Sequence, residues 1–231
     1  MNSIADRLLI VQKKIASAMA QSGRHPESVQ LVAVSKTHPT ESVREAFEAG
    51  QLLFGESRVQ EARVKIPDLS SQLRWHFIGH LQKNKIRNAL SLFEMIEAVD
   101  SLELAKDINR VATELGVFPK VLLEVNLAGE ASKFGFSPDQ LTAAMEPLLA
   151  LDRLQIQGLM TIPPPAPEAE ASRPFFAGLR EFRDRLQIEA RVPLPELSMG
   201  MSGDFPVAIQ EGATLVRVGT AIFGLRPKPA T

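Results

Sequence analysis

Cysteine and tyrosine are absent from the sequence, and tryptophan occurs once. Without cysteine the chain has no disulfide bond, no thiolate nucleophile and no cysteine-ligated zinc, which suits a reducing compartment. Four histidines remain as candidate metal ligands. His76 and His80 would share one face of an extended segment, but two ligands are weak grounds for a metal site, and we expect none.

Strong net charge and long apolar runs are also lacking. Lysine and arginine total 26 against 27 acidic residues, a formal net charge of -1, so no broad field attracts nucleic acid or a membrane surface. No apolar run approaches the ~20 residues of a membrane span, and the first residues lack the basic and then apolar order of a signal peptide. We expect a cytoplasmic protein with a small-molecule partner.

The chain alternates between short apolar stretches and amphipathic segments. It opens with apolar residues at helical spacing from Ile4 to Met19, and Gly23 is the predicted stop. A later helix is predicted from an Asp100 cap to Gly116. The apolar face of a further helix comprises Phe175, Leu179, Phe182 and Leu186. Eight strands are predicted at residues 31–36, 52–55, 75–79, 95–99, 121–126, 156–162, 197–201 and 215–219.

This alternation predicts the fold class. Strands that alternate with helices pair in parallel through right-handed crossovers, and eight such units close into a barrel. We therefore predict an α/β fold, a (β/α)8 TIM barrel with an extra N-terminal helix, as a single domain over residues 1–231. An open doubly wound sheet is the alternative, but residues 35–39 lack its glycine fingerprint. Three prolines at 163–165 predict a stiff loop at the barrel mouth or a plain surface connection.

Lys36 ends the first predicted strand, on the same face as Val32 and Val34. In an α/β barrel the functional groups lie where the strands end. An exposed lysine with a pKa of about 10.4 is a poor nucleophile at neutral pH, whereas burial and nearby positive charge lower the pKa and create Schiff-base lysines. Lys36 is therefore either such a nucleophile or a lysine that extends into water.

The seventh and eighth predicted strands end in small and hydroxyl-bearing residues. The loops after these strands form the recurrent phosphate site of α/β barrels. Glycines let backbone N–H groups approach phosphate oxygens, hydroxyl groups add donors, and the helix after Asp204 would add its N-terminal dipole. The residues predicted to bind a phosphorylated ligand here are Ser198, Met199, Ser202, Gly203, Gly219 and Thr220.

Arg217 shares its strand face with Leu215 and Gly219, so we expect it to point into the same mouth as Lys36. A buried arginine needs an acceptor. That acceptor is either a carboxylate, for example Glu124, or an electron-rich ligand atom such as a pyridine nitrogen. The residues alone favour neither.

Seven ordered motifs resemble the pyridoxal phosphate homeostasis protein family, whose fold is like the N-terminal barrel of alanine racemase. The motifs span nearly the whole chain: LVAVSKTH at 31–38, FGESRVQE at 54–61, WHFIGHLQKNK at 75–85, EVNLAGEASKFGF at 124–136, GLMTI at 158–162, LSMGMSGD at 197–204 and RVGTAIFG at 217–224. One departure is visible, because Ser57 stands where the family usually has asparagine. We still count Ser57 among the residues predicted to contact the ligand of this family.

The resemblance implies that the cofactor is pyridoxal 5′-phosphate (PLP), held as a Schiff base on Lys36. It implies further that Arg217 faces the pyridine nitrogen. The residues that it implies for the phosphate are Ser202, Gly219 and Thr220. The implied role is intracellular PLP homeostasis, with PLP-dependent apoenzymes as candidate recipients.

Three functions are compatible with these residues. Racemisation needs a base on each face of the Cα carbanion, and the racemase with this barrel takes a tyrosine from a second domain. This chain has no tyrosine, so we favour a non-catalytic PLP carrier or regulator, with no catalytic residues assigned. The alternatives are a racemase-like enzyme with a histidine such as His80 as second base, and a Schiff-base aldolase in which Lys36 attacks a sugar-phosphate ketone.

Two further groups of basic residues carry no assigned role. Lys83, Asn84, Lys85 and Arg87 either meet an anionic ligand or partner, or form a solvated helix face, which we favour. Lys133 lies in a glycine-flanked loop and is given no site. No helical pattern demands a partner face, so a monomer is expected.

Overall fold

The computed structural model describes residues 3–130 and 134–225. Within these residues eight parallel strands close into a barrel in sequence order, and the last strand pairs with the first. The strands are β1 (Gln30–Val34), β2 (Leu53–Glu56), β3 (Arg74–Phe77), β4 (Met95–Val99), β5 (Lys120–Glu124), β6 (Gln155–Met160), β7 (Glu196–Ser198) and β8 (Leu215–Val218). The predicted (β/α)8 barrel is confirmed, and the open sheet is excluded because no strand of this barrel is left at an edge.

Helices surround the barrel. Within the two described segments they are α1 (Ile4–Gln21), α2 (Thr40–Glu48), α3 (Val59–Lys65), α4 (Ile86–Leu92), α5 (Leu102–Leu115), α6 (Pro138–Leu149), α7 (Arg173–Ala190), α8 (Phe205–Gln210) and α9 (Thr220–Phe223). Short 3-10 turns occur at Ile66–Asp68, Lys83–Lys85 and Ala169–Ser172. None of the helices in this part of the chain is long and apolar enough to cross a membrane.

The extra N-terminal helix forms as its sequence predicts. Ser3 Oγ accepts a hydrogen bond from Asp6 N at 3.1 Å, and the Asp6 carboxylate accepts one from Ser3 N at 3.0 Å, a reciprocal cap that fixes the start of α1. Gly23 follows the helix with a φ of 64°, a left-handed conformation that glycine adopts at little cost. The buried face of α1 comprises Ile4, Leu8, Val11, Ile15, Ala18 and Met19.

Two details of the predicted helices are wrong by one residue. The cap of α5 is Ser101, whose hydroxyl accepts a backbone hydrogen bond at 3.3 Å, whereas the predicted cap, Asp100, is engaged with His80 at 2.7 Å. In α7 the buried face includes Phe176, and Phe175 is only half-buried. The helical period does not distinguish the two, because residues three and four before Leu179 both lie on its face.

Six of the eight strands end one to three residues before the predicted end. Lys36, Ile162 and Met201, for example, belong to loops rather than to β1, β6 and β7. The apolar pattern extends beyond the backbone pairing because the first loop residues still face the barrel mouth. Strand-to-helix loops of this kind carry the functional groups of α/β barrels.

Apolar side chains fill the lower part of the barrel interior, and a bulge in β4 changes what faces it. The interior cluster comprises Val32, Leu53, Met95, Ala98, Leu122, Met160 and Leu215. Ile96 pairs with Val121 and Val99 pairs with Leu123, so β4 has one more residue than β5 over this stretch. The extra residue lets Glu97 face the interior together with its neighbour Ala98.

Candidate functional site at the barrel mouth

A cavity of about 240 Å³ opens where the strands end. Its walls are formed by Val34, Lys36, Ile78, Ile162, Met201, Ser202, Gly203, Arg217, Gly219 and Thr220. Six of the nine residues predicted to bind the cofactor are among them. The folded chain therefore brings together, around a space suited to one small ligand, residues that are up to 184 positions apart in the sequence.

The other three predicted residues lie elsewhere. Ser57 lines a neighbouring cavity of about 500 Å³. Met199 is fully buried in the layer between the strands and the helices, because it stands on the outward-facing side of its segment. Ser198 is fully buried inside the barrel, where it contacts Arg217. Ser198 thus does not line the smaller cavity but lies behind Arg217, which does.

The loops after β7 and β8 meet at Ser202. Its hydroxyl oxygen accepts hydrogen bonds from Gly219 N at 3.3 Å and from Ala221 N at 3.2 Å. A Cβ on Gly219 would lie 3.2 Å from the Val34 carbonyl oxygen, so this position requires a very small residue. These two N–H groups converge on one oxygen atom, and a phosphate oxygen in that position would be bound by the same donors.

Lys36 reaches the cavity from a turn that follows β1. Val32 packs inside the barrel and Val34 lines the cavity, so the predicted alternation places Lys36 on the inward side. Lys36 is half-buried, and Ser35 before it is fully buried. Lys36 therefore lies at the mouth as predicted, and the choice between a nucleophile and a lysine that extends into water stays a prediction.

Arg217 is buried at the end of β8 and forms part of the cavity wall. Its Nη1 donates to Ser198 Oγ and its Nη2 donates to the Thr161 carbonyl oxygen at 2.9 Å. Burial lowers the pKa of Arg217 from its ordinary value. Of the described carboxylates, Glu97 lies within ion-pair distance, 3.9 Å from Nη1. The carboxylate is thus Glu97 rather than Glu124, which was only one example of a carboxylate acceptor.

Glu97 connects this arginine to the opposite wall of the barrel. Glu97 Oε2 accepts a hydrogen bond from Ser198 Oγ at 2.5 Å, although their strands, β4 and β7, are not neighbours. Glu97 Oε1 lies 2.6 Å from His76 Nδ1. Burial alone would raise the pKa of Glu97, but His76, Arg217 and the serine hydroxyl together hold it below its usual value. The carboxylate is thus ionised and offsets the arginine charge.

A second carboxyl group lies nearer the solvent. Burial and the charge of Asp100 raise the pKa of Glu124 to about 7, against the opposing effects of Arg217 and His80. The His80 ring stacks on the Phe134 ring, with centroids 3.9 Å apart. This end of the barrel therefore holds a carboxyl group that titrates near neutral pH.

Several of the histidines and basic residues singled out in the sequence contact acidic side chains in the structure. His76 and His80 bind Glu97 and Asp100 respectively, and the described residues contain no cluster of three or more potential metal ligands. In the basic cluster, Lys83 pairs with Asp107 at 3.1 Å and Arg87 pairs with Glu114, as a solvated helix face requires. Lys133 lies outside the described residues.

Sequence reasoning missed the buried acid and its histidine. Glu97 stands in the middle of the strand Met95–Val99, whose five residues are all buried. A single charged residue within an apolar strand was the available signal, because such a group stays buried only when it is paired. The sequence indicates His76 only as a candidate metal ligand. Its contact with Glu97 joins neighbouring strands, which periodicity within one segment cannot show.

Comparisons with known proteins agree with this architecture. Residues 11–227 match the family described as alanine racemase, N-terminal domain. The pyridoxal phosphate homeostasis protein of Aquifex aeolicus is 44% identical over 222 residues, which cover 96% of this chain and 97% of that protein. The protein of the same name from Escherichia coli K12 is 40% identical over 232 residues, which cover 98% of each.

Solved structures give the same result. PipY of Synechococcus elongatus PCC7942 with PLP bound aligns with a TM-score of 0.81 at 46% identity, over 91% of this chain and 100% of that chain. An alanine racemase of Clostridium difficile aligns with a TM-score of 0.75 over 97% of this chain and 58% of that chain. Its identity of 19% shows a shared fold alone.

Proposed function

The chain belongs to the pyridoxal phosphate homeostasis proteins within the alanine racemase N-terminal domain family, and we propose that it binds PLP in the cavity at the barrel mouth and acts in PLP homeostasis as a carrier or regulator. The observation that carries the proposal is the composition of the cavity wall. A lysine, a buried arginine and a phosphate-type donor set line one small space. These are the three kinds of group that an aldehyde, a pyridine ring and a phosphate require.

Lys36 is the proposed attachment point. Its amine, when deprotonated, attacks the PLP aldehyde carbon; a carbon–nitrogen bond forms and the aldehyde oxygen leaves as water, which gives a Schiff base. At the other end of the cavity, the hydroxyls of Ser202 and Thr220 and the N–H group of Gly219 would hold the phosphate. In the ligand-free structure Gly219 N donates to Ser202 Oγ, so this N–H group would exchange the serine oxygen for a phosphate oxygen when the ligand binds.

Arg217 is the proposed partner of the pyridine nitrogen. Serine and carbonyl oxygens hold both of its terminal nitrogens from inside the barrel, which leaves the guanidinium as part of the cavity wall. An arginine donates a hydrogen bond to a pyridine nitrogen but does not transfer the proton to it. A pyridine nitrogen beside an arginine therefore stays unprotonated. PLP supplies an aldehyde that captures amines and a ring that withdraws electrons, and a ring with an unprotonated nitrogen withdraws electrons poorly. Arg217 therefore favours binding of PLP without catalysis.

The racemase-like and aldolase alternatives have less support. His80, the suggested second base, lines the neighbouring cavity and is bound to Asp100, and the chain has no tyrosine. A missing base removes ~10²- to 10⁴-fold of acid–base catalysis. An aldolase that binds sugar phosphates has no need of a buried arginine suited to a ring nitrogen.

The test is the visible absorption spectrum of the purified protein with PLP, before and after borohydride. We expect a borohydride-sensitive band in the wild type and in a Lys85→Ala control, since Lys85 lines the neighbouring cavity and not the one that Lys36 lines. The Lys36→Ala variant should lack the band. Absence of the band from the wild type, or its persistence in Lys36→Ala, would contradict the proposal. Stereoselective exchange of an amino-acid α-proton would support the racemase-like alternative instead.

We propose further that residues 1–231 form one domain that acts as a monomer in the cytoplasm and passes PLP to PLP-dependent apoenzymes. The lack of cysteine suits a reducing compartment such as the cytoplasm. Light scattering of the purified protein tests the monomer. Activation of a PLP-free aminotransferase in the presence of a PLP-trapping phosphatase tests direct transfer.

A further inference from the structure

The turn that carries Lys36 contains a strained residue. Thr37 has a φ of 66°, and within the described residues the only other non-glycine with positive φ is Arg191, which ends a helix. A left-handed residue is common at the end of a helix. The left-handed conformation is costly for a β-branched residue such as threonine, and it persists only where surrounding contacts impose it. Contacts around residues 35–38 must therefore hold Thr37 in place.

Helix α3 provides two of these contacts, one on each side of Lys36. Thr37 N donates to Glu61 Oε2 at 3.1 Å. Lys65 Nζ donates to the Ser35 carbonyl oxygen at 3.0 Å. The helix thus binds both residues adjacent to Lys36 in the sequence.

A buried ion pair fixes the second contact. Lys65 Nζ lies 2.5 Å from Glu56 Oε1, and the side chains of the two residues are 8% and 0% exposed. Ser35 Oγ donates to the same Glu56 oxygen at 2.7 Å. Burial raises the pKa of Glu56, and the Lys65 charge opposes that effect. Buried ion pairs add little stability compared with well-packed apolar residues, so geometry rather than stability is the better explanation of this one.

We infer that Glu61, Lys65 and Glu56 are positioning residues for Lys36: they hold the turn of residues 35–38 in the conformation that aims the lysine amine into the cavity. The inference rests on the proposed function of Lys36. None of the three lines the 240 Å³ cavity. Glu61 and Lys65 instead line a separate cavity with Thr37, and Glu61 also lines the cavity of about 500 Å³ that contains Ser57. We therefore expect their effect on a ligand in the 240 Å³ cavity to pass through Lys36.

If these residues act only through Lys36, their substitution should affect two related ligands differently. PLP has an aldehyde that Lys36 attacks, whereas pyridoxine 5′-phosphate has the same ring and phosphate with an alcohol in its place and forms no bond to an amine. A change that misplaces only Lys36 weakens PLP binding and leaves pyridoxine 5′-phosphate binding unchanged. A change that damages the cavity weakens both.

The experiment measures the dissociation constants of both ligands for wild type and variants. Glu61→Ala removes the acceptor of Thr37 N, and the double variant Glu56→Gln with Lys65→Met removes the buried pair without leaving one charge unpaired. We expect each to lower PLP affinity about tenfold or more, the loss typical of one charge-assisted hydrogen bond, and to change pyridoxine 5′-phosphate affinity less than about twofold. Glu61→Gln, which keeps an acceptor oxygen, should restore PLP binding.

Arg63→Ala is the matched control, because Arg63 is an exposed residue of the same helix. Equal losses for both ligands, or no loss of PLP affinity in either variant, would overturn the inference. A wild-type protein that binds the two ligands equally would instead show that Lys36 forms no bond, and the proposed function would fail together with the inference. Thermal unfolding of each variant separates misfolding from misplacement, since Glu61→Ala changes a partly exposed side chain.

Discussion

Replacing Glu97 with glutamine tests whether the arginine at the barrel mouth depends on a carboxylate inside the barrel. Glu97 is fully buried, and its Oε2 lies 3.9 Å from Arg217 Nη1. At this separation two unit charges attract by ~4 kcal/mol at an effective dielectric constant of about 20. Glutamine keeps the shape of the side chain and one acceptor oxygen, so the substitution removes the charge together with the acceptor of either His76 or Ser198.

We expect the Glu97→Gln variant to lose ~2 to 4 kcal/mol of unfolding free energy, because Arg217 stays buried without its full counter-charge. Urea unfolding of the PLP-free protein at neutral pH measures the loss. Glu103, an exposed glutamate of α5, provides the matched control. Its replacement by glutamine should change the unfolding free energy by less than ~0.5 kcal/mol.

A double variant separates the charge from other effects of the substitution. Glu97→Gln combined with Arg217→Met should be more stable than Glu97→Gln alone, because removing the arginine also removes the uncompensated charge. A loss below ~0.5 kcal/mol in the single variant would refute the reasoning. So would losses that simply add in the double variant.

Three further predictions concern single residues. The pKa of Glu124 is raised to about 7, so the native state binds more protons than the unfolded chain from about pH 4.5 to pH 7. The contribution of this group to the free energy of unfolding therefore falls by ~2 to 3 kcal/mol between about pH 5 and pH 8. Glu124→Gln should abolish that pH dependence in urea unfolding. Thr37→Gly should leave stability unchanged or raise it by ~1 kcal/mol in thermal unfolding, and a clear loss would argue against strain there. Gly219→Val should weaken PLP binding by about tenfold or more in a PLP titration, because its side chain would press on the Val34 carbonyl; unchanged binding would place the phosphate elsewhere.

Much of the candidate site was predictable because barrels place functional groups at strand ends. Lys36, Arg217 and the small residues after β7 and β8 line one cavity as predicted. Ser57, Ser198 and Met199 do not line that cavity, since motif membership does not say which way a side chain faces. The neighbours of a side chain across a closed barrel are set by strand order and by bulges such as the one in β4.

Periodicity within short segments predicts the eight strands, the extra helix, the barrel class and the inward face of Lys36. Contacts across the folded barrel show that Arg217 is held through Ser198 by Glu97 rather than by Glu124. Such contacts also show that α3 restrains the turn around Lys36. Hydrogen bonds and ion pairs depend on distances of about 3 Å between atoms of separate segments, and no local pattern encodes those distances.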